Sequence, residues 1–291
     1  MPELPEVELL CRRLDERCAG RRVDRLDLAS ISALKTFDPS LGSLVGRTFE
    51  SCTRRGKFIC IRLGADGAEP QWLVTHLARA GWVKWRNTLT TVPVRVGRGP
   101  MVLRVGFEGG AGFDVTEMGH ERRLAIWTTH SPSDIPAVAT LGPEPLDADF
   151  TEQQFSQILL CEKGDLKRCL SRQSVIAGVG NAYSDEALHA ARLSPFKPAA
   201  KLSADEISRL YTSLIGVLRE AIARGESLDL DELKDGKRSG MRAHARTGLP
   251  CPVCGDTVRE VSFATRSLQY CPTCQTGGRP LADRRLSRLL K

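Results

Sequence analysis

The strongest chemical signal in the sequence is a group of four cysteines near its end. Cys251 and Cys254 form one C-x2-C pair, sixteen residues follow, and Cys271 and Cys274 form a second pair. Four thiolates at this spacing can bind one tetrahedral Zn²⁺, and they leave no open position for a catalytic water. Two disulfides in a small loop are the alternative, which a chain without a secretory signal disfavours. The sequence therefore predicts one structural zinc ion.

The second signal is the start of the chain, MPELPEVELL. Removal of Met1 would leave Pro2 as a secondary amine at the positive end of a predicted helix, which disfavours the protonated form. An α-amino group has a pKa of about 7.7–8.0, so a useful fraction would be neutral and able to attack a sugar carbon. Glu3 beside it and Glu6 one turn later can move protons. The alternative is structural: Pro5 is a first-turn proline, and the glutamates complement the helix dipole.

Two further stretches carry groups that can bind phosphate. In Arg54-Arg55-Gly56-Lys57, two cations and a glycine lead to a lysine at a predicted hairpin tip, which either reaches into a groove or remains a solvated charge. In Gly178-Val179-Gly180-Asn181, glycines precede a predicted helix, whose first N–H groups and the Asn181 amide can surround a phosphate. This stretch lacks the complete dinucleotide fingerprint, which argues against a nicotinamide site.

The elements that must position these residues follow from the hydrophobic pattern. Apolar residues at helical spacing from Val7 to Cys18, with Gly20 at the expected end, predict an opening helix. From Val23 to Trp127, short apolar runs separated by glycines and charges predict a β-sandwich or barrel. A proline-rich linker is predicted at 131–149, and helical spacing dominates from 150 to 224.

Length and charge limit the possible classes. A length of 291 residues favours two domains. The net charge of +7 and a pI near 9.0 suit a polyanionic partner such as nucleic acid, although many other proteins share them. Neither a secretory signal nor a transmembrane run is evident, which predicts a cytoplasmic protein without a membrane partner. The other six cysteines are then expected to be reduced and buried: Cys11, Cys18, Cys52, Cys60, Cys161 and Cys169.

Taken together, these stretches resemble one family, the formamidopyrimidine-DNA glycosylase and endonuclease VIII family of base-excision repair. The resemblance spans nearly the whole chain: MPELPEVE at the start, RRGK at 54–57, LGPEPL at 141–146, GVGNAYSDEAL at 178–188 and RSLQYCPTCQ at 266–275. The leucine in MPELPEVE resembles the residue found at this position in the formamidopyrimidine-DNA glycosylase branch. The resemblance implies an α+β multidomain fold: a catalytic β-sandwich with an N-terminal helix at 1–130, a helix-two-turn-helix DNA-binding domain at 150–240, and a zinc β-hairpin at 241–291.

The resemblance also implies roles for residues at matching positions. Pro2 would be the nucleophile that attacks C1′ of the damaged nucleotide and forms an imine to the opened sugar. Glu3 would be the general acid and base, and Glu6 would hold the start of the chain in place. Lys57 would contact phosphates and assist departure of the base. β- and δ-elimination would then cut the strand without a redox or nucleotide cofactor, because the imine acts as an electron sink.

The implied partner is double-stranded DNA that contains damaged bases or abasic sites, bound by a monomer at the nucleoid. Lys167 and Asn181 match positions that grip phosphates, and Arg266 matches the phosphate-binding arginine of the zinc hairpin. The damaged base must leave the stack before its sugar can be attacked. The residues at the positions that fill the resulting gap are Arg79, Arg122 and Leu124.

Two of these three positions depart from the pattern of the formamidopyrimidine-DNA glycosylase branch. Arg79 stands where methionine is expected and Leu124 stands where a wedge phenylalanine is expected, whereas Arg122 is retained. Residues 226–250, which match the region that caps an oxidised purine, also differ, with His244-Ala245 in place of Tyr-Gly. These departures leave the preferred lesion open.

Two other functions compete with a DNA glycosylase. One is a zinc-ribbon DNA-binding homologue that has lost catalysis, and the other is a zinc-bearing translation or transcription factor. The latter accounts for the cysteines but not for the amino terminus. Intact Pro2, Glu3 and Lys57 favour the enzyme over the inactive homologue, since a protein without catalysis has no reason to keep all three.

Overall fold

The computed structural model of the protein describes residues 1–97, 99–119, 121–263 and 267–282. The chain forms two compact units. The first contains Met1–Thr140 together with Glu226–Lys234, and the second contains Leu141–Gly225 together with Asp235–Lys291. The chain therefore returns to the first unit once, for nine residues, before it continues in the second.

The first unit opens with the predicted helix, α1, which spans Leu4–Cys18. Pro5 lies in its first turn, where a missing N–H costs nothing, and Arg17 lies in its last turn, where a cation complements the dipole. The apolar side of α1 is fully buried, as Leu10 and Leu14 illustrate. The spacing of apolar residues in the sequence thus corresponds to the buried face of this helix.

Eight strands follow α1. They span Val23–Leu28 (β1), Thr48–Arg55 (β2), Phe58–Ala65 (β3), Ala68–His76 (β4), Gly81–Arg86 (β5), Met101–Phe107 (β6), Gly112–Glu117 (β7) and Ala125–Thr129 (β8). All pairings between them are antiparallel, in two four-stranded sheets with the orders β1-β6-β7-β5 and β2-β3-β4-β8. Phe49 of β2 packs edge-on against Phe107 of β6, with ring centroids 6.2 Å apart, so the two sheets share a core. The predicted β-sandwich is confirmed.

The predicted linker at 131–149 is ordered. It contains a 3-10 turn at Pro132–Asp134 and a short helix, α2, at Pro136–Ala139. Its later part is hydrogen-bonded within the second unit, where Gly142 N–H donates to the carbonyl of Gln173 at 2.9 Å. These backbone bonds explain why a proline-rich stretch without apolar periodicity adopts a defined path. Two more 3-10 turns, at Ile31–Ala33 and Leu41–Leu44, lie between the first strands.

The second unit is mainly helical. Its elements span Glu152–Cys161 (α3), Leu166–Ser171 (α4), Asn181–Ala190 (α5), a 3-10 turn at Ala199–Lys201, Ala204–Gly225 (α6), Arg259–Ser262 (β9), Ser267–Tyr270 (β10) and Pro272–Thr276 (α8). A further helix, α7, spans Leu233–Ser239, where the chain re-enters this unit. The long α6 packs on α5 with apolar residues at helical spacing, as predicted. Among the described helices, none is both long enough and apolar enough to span a bilayer.

Residues 226–234 pack on the first unit, although they follow the helical region in sequence. Trp82 Nε1 donates to the carbonyl of Leu230 at 2.9 Å, and the Leu230 side chain is 2% exposed. Glu226 pairs with Arg12 of α1 at 3.1 Å, at an exposed position. Exposed ion pairs contribute at most about 1 kcal/mol, so the buried leucine and the tryptophan contact are the stronger anchors. The predicted domain division did not include this return.

The six cysteines outside the zinc segment are unpaired thiols in the structure, and five of them are buried. Burial raises the pKa of Cys18 and of Cys60 to about 12, so both remain protonated at neutral pH. These residues behave as small apolar core side chains, as expected. Cys161 differs from that expectation because it is exposed.

Candidate active site and zinc centre

Helix α1 runs antiparallel to β2 in a fixed register. Three contacts join the two elements, in order toward the start of the helix: Asp15 Oδ1 with Cys52 N–H at 2.7 Å, Cys11 Sγ with the Thr53 carbonyl at 3.3 Å, and Glu8 with Arg54 at 3.0 Å. Each step toward the start of α1 is therefore a step toward the end of β2. This register directs Pro2 and Glu3 toward the turn at 55–57, which carries Lys57.

The start of α1 is buried and is held by its own carboxylate. Glu3 is 2% exposed and Glu6 is 4% exposed, and Pro2 is also buried. Glu6 Oε2 accepts a hydrogen bond from the backbone N–H of Glu3 at 2.8 Å, a contact of the kind found in capping boxes. Glu6 thus fixes the backbone beside Pro2. The catalytic roles of Pro2 and Glu3 stay predictions.

Lys57 lies in the turn between β2 and β3 and is 6% exposed. Gly56 before it has a φ of +56°, a left-handed value that glycine adopts without strain. Arg54, the partner of Glu8, also donates to the carbonyl of Gly56 at 3.1 Å, so the turn is tied to α1. The alternative of a solvated surface lysine does not describe this residue.

His76 is a titratable residue beside this turn that the sequence analysis did not select. It ends β4 directly opposite Phe58 of β3, and the two rings lie 4.9 Å apart. Burial, assisted by the positive charge of Lys57, lowers the pKa of His76 to about 4. The imidazole is therefore neutral near pH 7 and can donate a hydrogen bond without adding a second cation. Strand register is the signal that could have identified it.

The three residues predicted to fill the gap in the DNA lie in different environments. Arg79 is exposed, and so is Arg122, which donates to the carbonyl of Gly99 at 2.8 Å. Leu124 is 3% exposed and packs so closely on Gly81 that a Cβ there would lie 2.8 Å from its Cδ1. Leu124 therefore belongs to the core in this conformation. The contact of Leu124 with DNA stays a prediction, and it requires the segment between β7 and β8 to rearrange.

Lys167 is committed to contacts inside the second unit. Its Nζ lies 2.5 Å from Asp185 Oδ1, 2.6 Å from the carbonyl of Asn181 and 2.9 Å from Ser184 Oγ, and the residue is 3% exposed. These contacts can use all three donors of an ammonium group. Lys167 therefore holds the start of α5 in place in this structure, and its predicted contact with a DNA phosphate stays a prediction.

Asn181 is the first residue of α5, and its side-chain amide donates to the carbonyl of Ser267 at 2.8 Å. The glycine turn before it is shaped by Gln173, whose Nε2 donates to the carbonyl of Val179 at 2.6 Å and whose Oε1 accepts from Gly178 N–H at 3.0 Å. Gln173 lies outside the motif, so the motif did not predict its role. The phosphate contact of Asn181 stays a prediction.

The four cysteines of the zinc pattern converge in the second unit. Cys251 Sγ lies 3.9 Å from Cys274 Sγ, and Cys254 Sγ lies 3.3 Å from Cys271 Sγ. Sulfur ligands of a tetrahedral zinc ion are separated by about 3.8 Å, given Zn–S bonds of about 2.3 Å, so the thiols fit one ion. A hydrogen bond from the backbone of Asp256 lowers the pKa of Cys254, which favours the thiolate that zinc requires. The predicted structural zinc is confirmed.

Helix α5 supports the zinc segment through two buried carboxylates. Glu186 accepts hydrogen bonds from the backbone N–H groups of Arg242, Ala243 and His244 at 2.8–2.9 Å. Asp185 Oδ2 lies 2.8 Å from His244 Nδ1, so the histidine that replaces the expected tyrosine has a specific partner. Both carboxylates lie in the stretch 178–188 that carries the family resemblance, but the motif alone did not predict their roles.

The zinc segment also contains the antiparallel hairpin of β9 and β10. Val261, Leu268 and Tyr270 form a small buried cluster on this hairpin. Arg266, the predicted phosphate-binding residue, lies outside the described residues. Its contact with DNA stays a prediction.

Comparison with known proteins identifies the same three segments. Residues 1–117 match the model of the formamidopyrimidine-DNA glycosylase N-terminal domain, and residues 141–230 match that of the formamidopyrimidine-DNA glycosylase H2TH domain. Residues 248–277 match the zinc finger found in FPG and IleRS. The matches follow one another along the chain in the order that the resemblance implied.

Relatives of full length agree with these matches. The formamidopyrimidine-DNA glycosylase of Thermus thermophilus is 37% identical over 290 residues, which cover 96% of this chain and 100% of that protein. The crystal structure of MutM (Fpg) from Thermus thermophilus aligns with a TM-score of 0.79 at 34% identity, over 96% of this chain and 100% of that one. Lactococcus lactis Fpg, bound to DNA that contains an abasic site, aligns with a TM-score of 0.81 at 26% identity, over 94% and 99%. With its α+β fold and zinc centre, the chain belongs to the formamidopyrimidine-DNA glycosylase family, the DNA glycosylases of base-excision repair that also act as abasic-site lyases.

Proposed function

We propose that this protein removes oxidised or ring-opened bases from double-stranded DNA with Pro2 as the nucleophile. The observation that carries the proposal is the register of α1 on β2, which directs Pro2 and Glu3 toward the turn of Lys57. The reaction needs an amine, a proton-transfer group and a cation near one sugar. These three residues supply them from neighbouring parts of one unit.

The Pro2 nitrogen, released by removal of Met1, attacks C1′ while the bond between C1′ and the base breaks, and the base departs with the bonding electrons. Glu3 protonates the ring oxygen O4′, so the sugar opens and leaves an iminium between Pro2 and C1′. The iminium withdraws electrons from C2′, which loses a proton as the 3′ phosphate departs. A second elimination expels the 5′ phosphate, and water hydrolyses the imine to restore the amine.

The environment of Lys57 suits a role in stabilising negative charge. A buried ammonium group interacts more strongly with a phosphate than an exposed one does, because the surrounding dielectric is lower. His76 is neutral near pH 7, since burial lowers its pKa to about 4, and it adds a hydrogen-bond donor near this lysine. We assign both residues to recognition of the phosphates or the departing base.

The second unit supports binding of the duplex. The start of α5 offers Asn181, and Lys167 holds the backbone there. A related Fpg from Lactococcus lactis has been crystallised with abasic-site DNA, and a net charge of +7 suits the same partner. We therefore propose that this protein binds damaged or abasic duplex DNA as a monomer, in the cytoplasm and at the nucleoid, and that the base leaves the stack before cleavage.

Borohydride trapping tests the nucleophile. The untagged chain, mixed with a labelled abasic-site duplex and borohydride, should form a covalent protein–DNA adduct. An amino-terminal tag that remains in place should abolish the adduct, and Pro2→Ala should greatly weaken it. Pro5→Ala is the matched control, since it removes a proline from the same helix start but leaves the amine intact. Full glycosylase activity of a tagged chain would refute the role of Pro2.

Glu3→Gln separates the enzyme from an inactive DNA-binding homologue. An inactive homologue would bind the abasic duplex with similar affinity before and after this change, and neither form of it would cut the duplex. For the enzyme, removal of the proton-transfer group should slow base excision by roughly 10²- to 10⁴-fold while the dissociation constant for DNA changes little. Single-turnover rates and a binding titration on one duplex give both quantities.

A further inference from the structure

A histidine lies at the zinc site and belongs to none of the motifs. His189 is in the last turn of α5 and is 2% exposed. Its Nε2 lies 3.2 Å from Cys251 Sγ. One potential ligand atom from each of His189, Cys251, Cys271 and Cys274 lies within 4.8 Å of the others. The imidazole is therefore close enough either to bind zinc or to contact a sulfur that does.

The second ring nitrogen distinguishes these two arrangements. His189 Nδ1 is buried and has no hydrogen-bond partner among the described residues. If Nε2 bound zinc, the proton of a neutral imidazole would sit on Nδ1, as a buried donor without an acceptor. Histidines that bind metals almost always donate this second N–H to a partner, and a buried donor left unpaired is costly. The surroundings of Nδ1 therefore argue against ligation by His189.

The opposite tautomer fits both nitrogens better. With the proton on Nε2, the ring donates an N–H···S hydrogen bond to Cys251, and Nδ1 keeps only a lone pair. Four cysteines already complete a tetrahedral set. Zinc with four thiolates carries a net charge of −2, and a donor to one sulfur offsets part of that charge in a buried site.

We propose that His189 is a positioning residue that donates a hydrogen bond to zinc-bound Cys251 and thereby ties α5 to the zinc centre. Asn181, at the other end of α5, is bonded to Ser267 of β10, so both ends of this helix contact the zinc segment. Asn181 and His189 are eight residues apart in α5, so the two contacts are separated by about 12 Å along the helix axis. This proposal concerns the zinc centre and does not depend on the proposed reaction.

Release of zinc to excess chelator measures the strength of the site in the full-length protein. His189→Phe keeps an aromatic ring of similar size without an N–H, and it should release zinc roughly 10- to 100-fold faster than the unmodified chain. His189→Gln keeps a hydrogen-bond donor, so its rate of zinc release should lie close to that of the unmodified chain. Release from His189→Phe at the original rate would overturn the proposal.

Cobalt substitution tests the ligand set. The sulfur-to-cobalt charge-transfer absorption should correspond to four thiolates in the unmodified chain and should persist in His189→Phe and His189→Gln. Cys254→Ser should lower it to three thiolates. Three thiolates and one nitrogen in the unmodified chain, with Cys254→Ser unchanged, would instead identify His189 as a ligand and overturn the proposal. If His189→Phe does not fold, the cobalt spectra of the unmodified chain and of Cys254→Ser still decide the ligand set, because neither protein alters His189.

Discussion

Lys167 Nζ lies 2.5 Å from Asp185 Oδ1, and the two side chains are 4% and 0% exposed. Two charges this deeply buried are tolerated because each has a charged partner and further hydrogen bonds. Lys167 also bonds Asn181 and Ser184, and Asp185 also contacts His244. This pair therefore joins α4, the start of α5 and the segment that leads to the zinc centre.

Removing one partner of this pair should destabilise the protein strongly. Lys167→Met leaves Asp185 as a buried charge without its cation, so the free energy of unfolding should fall by about 3–5 kcal/mol. Urea denaturation measures the change. The control is Lys197→Met. Lys197 also pairs with a carboxylate, that of Glu206, at 2.5 Å, but its side chain is 31% exposed. Loss of this exposed pair should lower the free energy of unfolding by at most about 1 kcal/mol. Unchanged stability with a weaker salt dependence of DNA binding would contradict this structural role and would instead support the predicted phosphate contact of Lys167.

The ion pair between Glu8 and Arg54 should matter for catalysis, because it ties the turn of Lys57 to α1. Arg54→Leu should lower the single-turnover rate of base excision by roughly 10- to 100-fold through misplacement of Lys57, with little change in DNA affinity. Arg12→Leu is the matched control. Arg12 contacts the same glutamate at 3.0 Å but is 48% exposed. Equal rates for the two variants would show that this contact does not position the turn.

His76 should make stability depend on pH below neutrality. Its pKa is about 4 in the folded protein, below the usual value of 6.5, so the unfolded chain binds the proton more tightly. The contribution to stability is complete above pH 6.5 and is lost as the pH falls toward 4, by at most about 3 kcal/mol. His76→Gln should remove this part of the pH dependence in urea denaturation. His130→Gln, at an exposed histidine, should leave it unchanged.

Loss of zinc should weaken DNA binding even though the zinc ligands are far from Pro2 in sequence. Cys271→Ser removes one of four ligands and should unfold the hairpin that carries Arg266, so affinity for duplex DNA should fall. Arg266→Ala should weaken binding regardless of the lesion and reduce the salt dependence by about one phosphate contact. Arg209→Ala makes the same change of charge at an exposed position on α6 and serves as a control. Unchanged binding in Cys271→Ser and Arg266→Ala would exclude the hairpin from the interface.

Discrimination between bases opposite the lesion should be poor. Arg79 is exposed and carries five donors that can bond either base, whereas Leu124 is smaller than phenylalanine and is buried. Ring-opened purines, abasic sites or oxidised pyrimidines should react faster than 8-oxoguanine. Single-turnover rates opposite cytosine and adenine measure the preference, and Arg79→Met should increase discrimination. A preference for 8-oxoguanine opposite cytosine above tenfold, about 1.4 kcal/mol of barrier, would refute this prediction.

Much of the architecture was determined by the sequence itself. The spacing of apolar residues predicted α1 and α6, because one face of each helix must be buried. Short apolar runs predicted the sandwich, since a strand buries alternate side chains. The paired cysteines predicted zinc, because each C-x2-C spacing places two thiolates side by side and two such pairs complete a tetrahedral set. The order of short motifs predicted the family.

Other features were decided only by the tertiary structure. Burial of Lys167, the low pKa of His76 and the contact of His189 with Cys251 all depend on neighbours distant in sequence. The return of residues 226–234 to the first unit likewise depends on Trp82, which is more than 140 positions away. Local sequence sets backbone preference and amphipathic pattern, whereas desolvation and the partners of a buried charge are fixed only when the chain packs. For this reason the motifs predicted the family and its chemistry, and packing determined the environment and the partners of each buried residue.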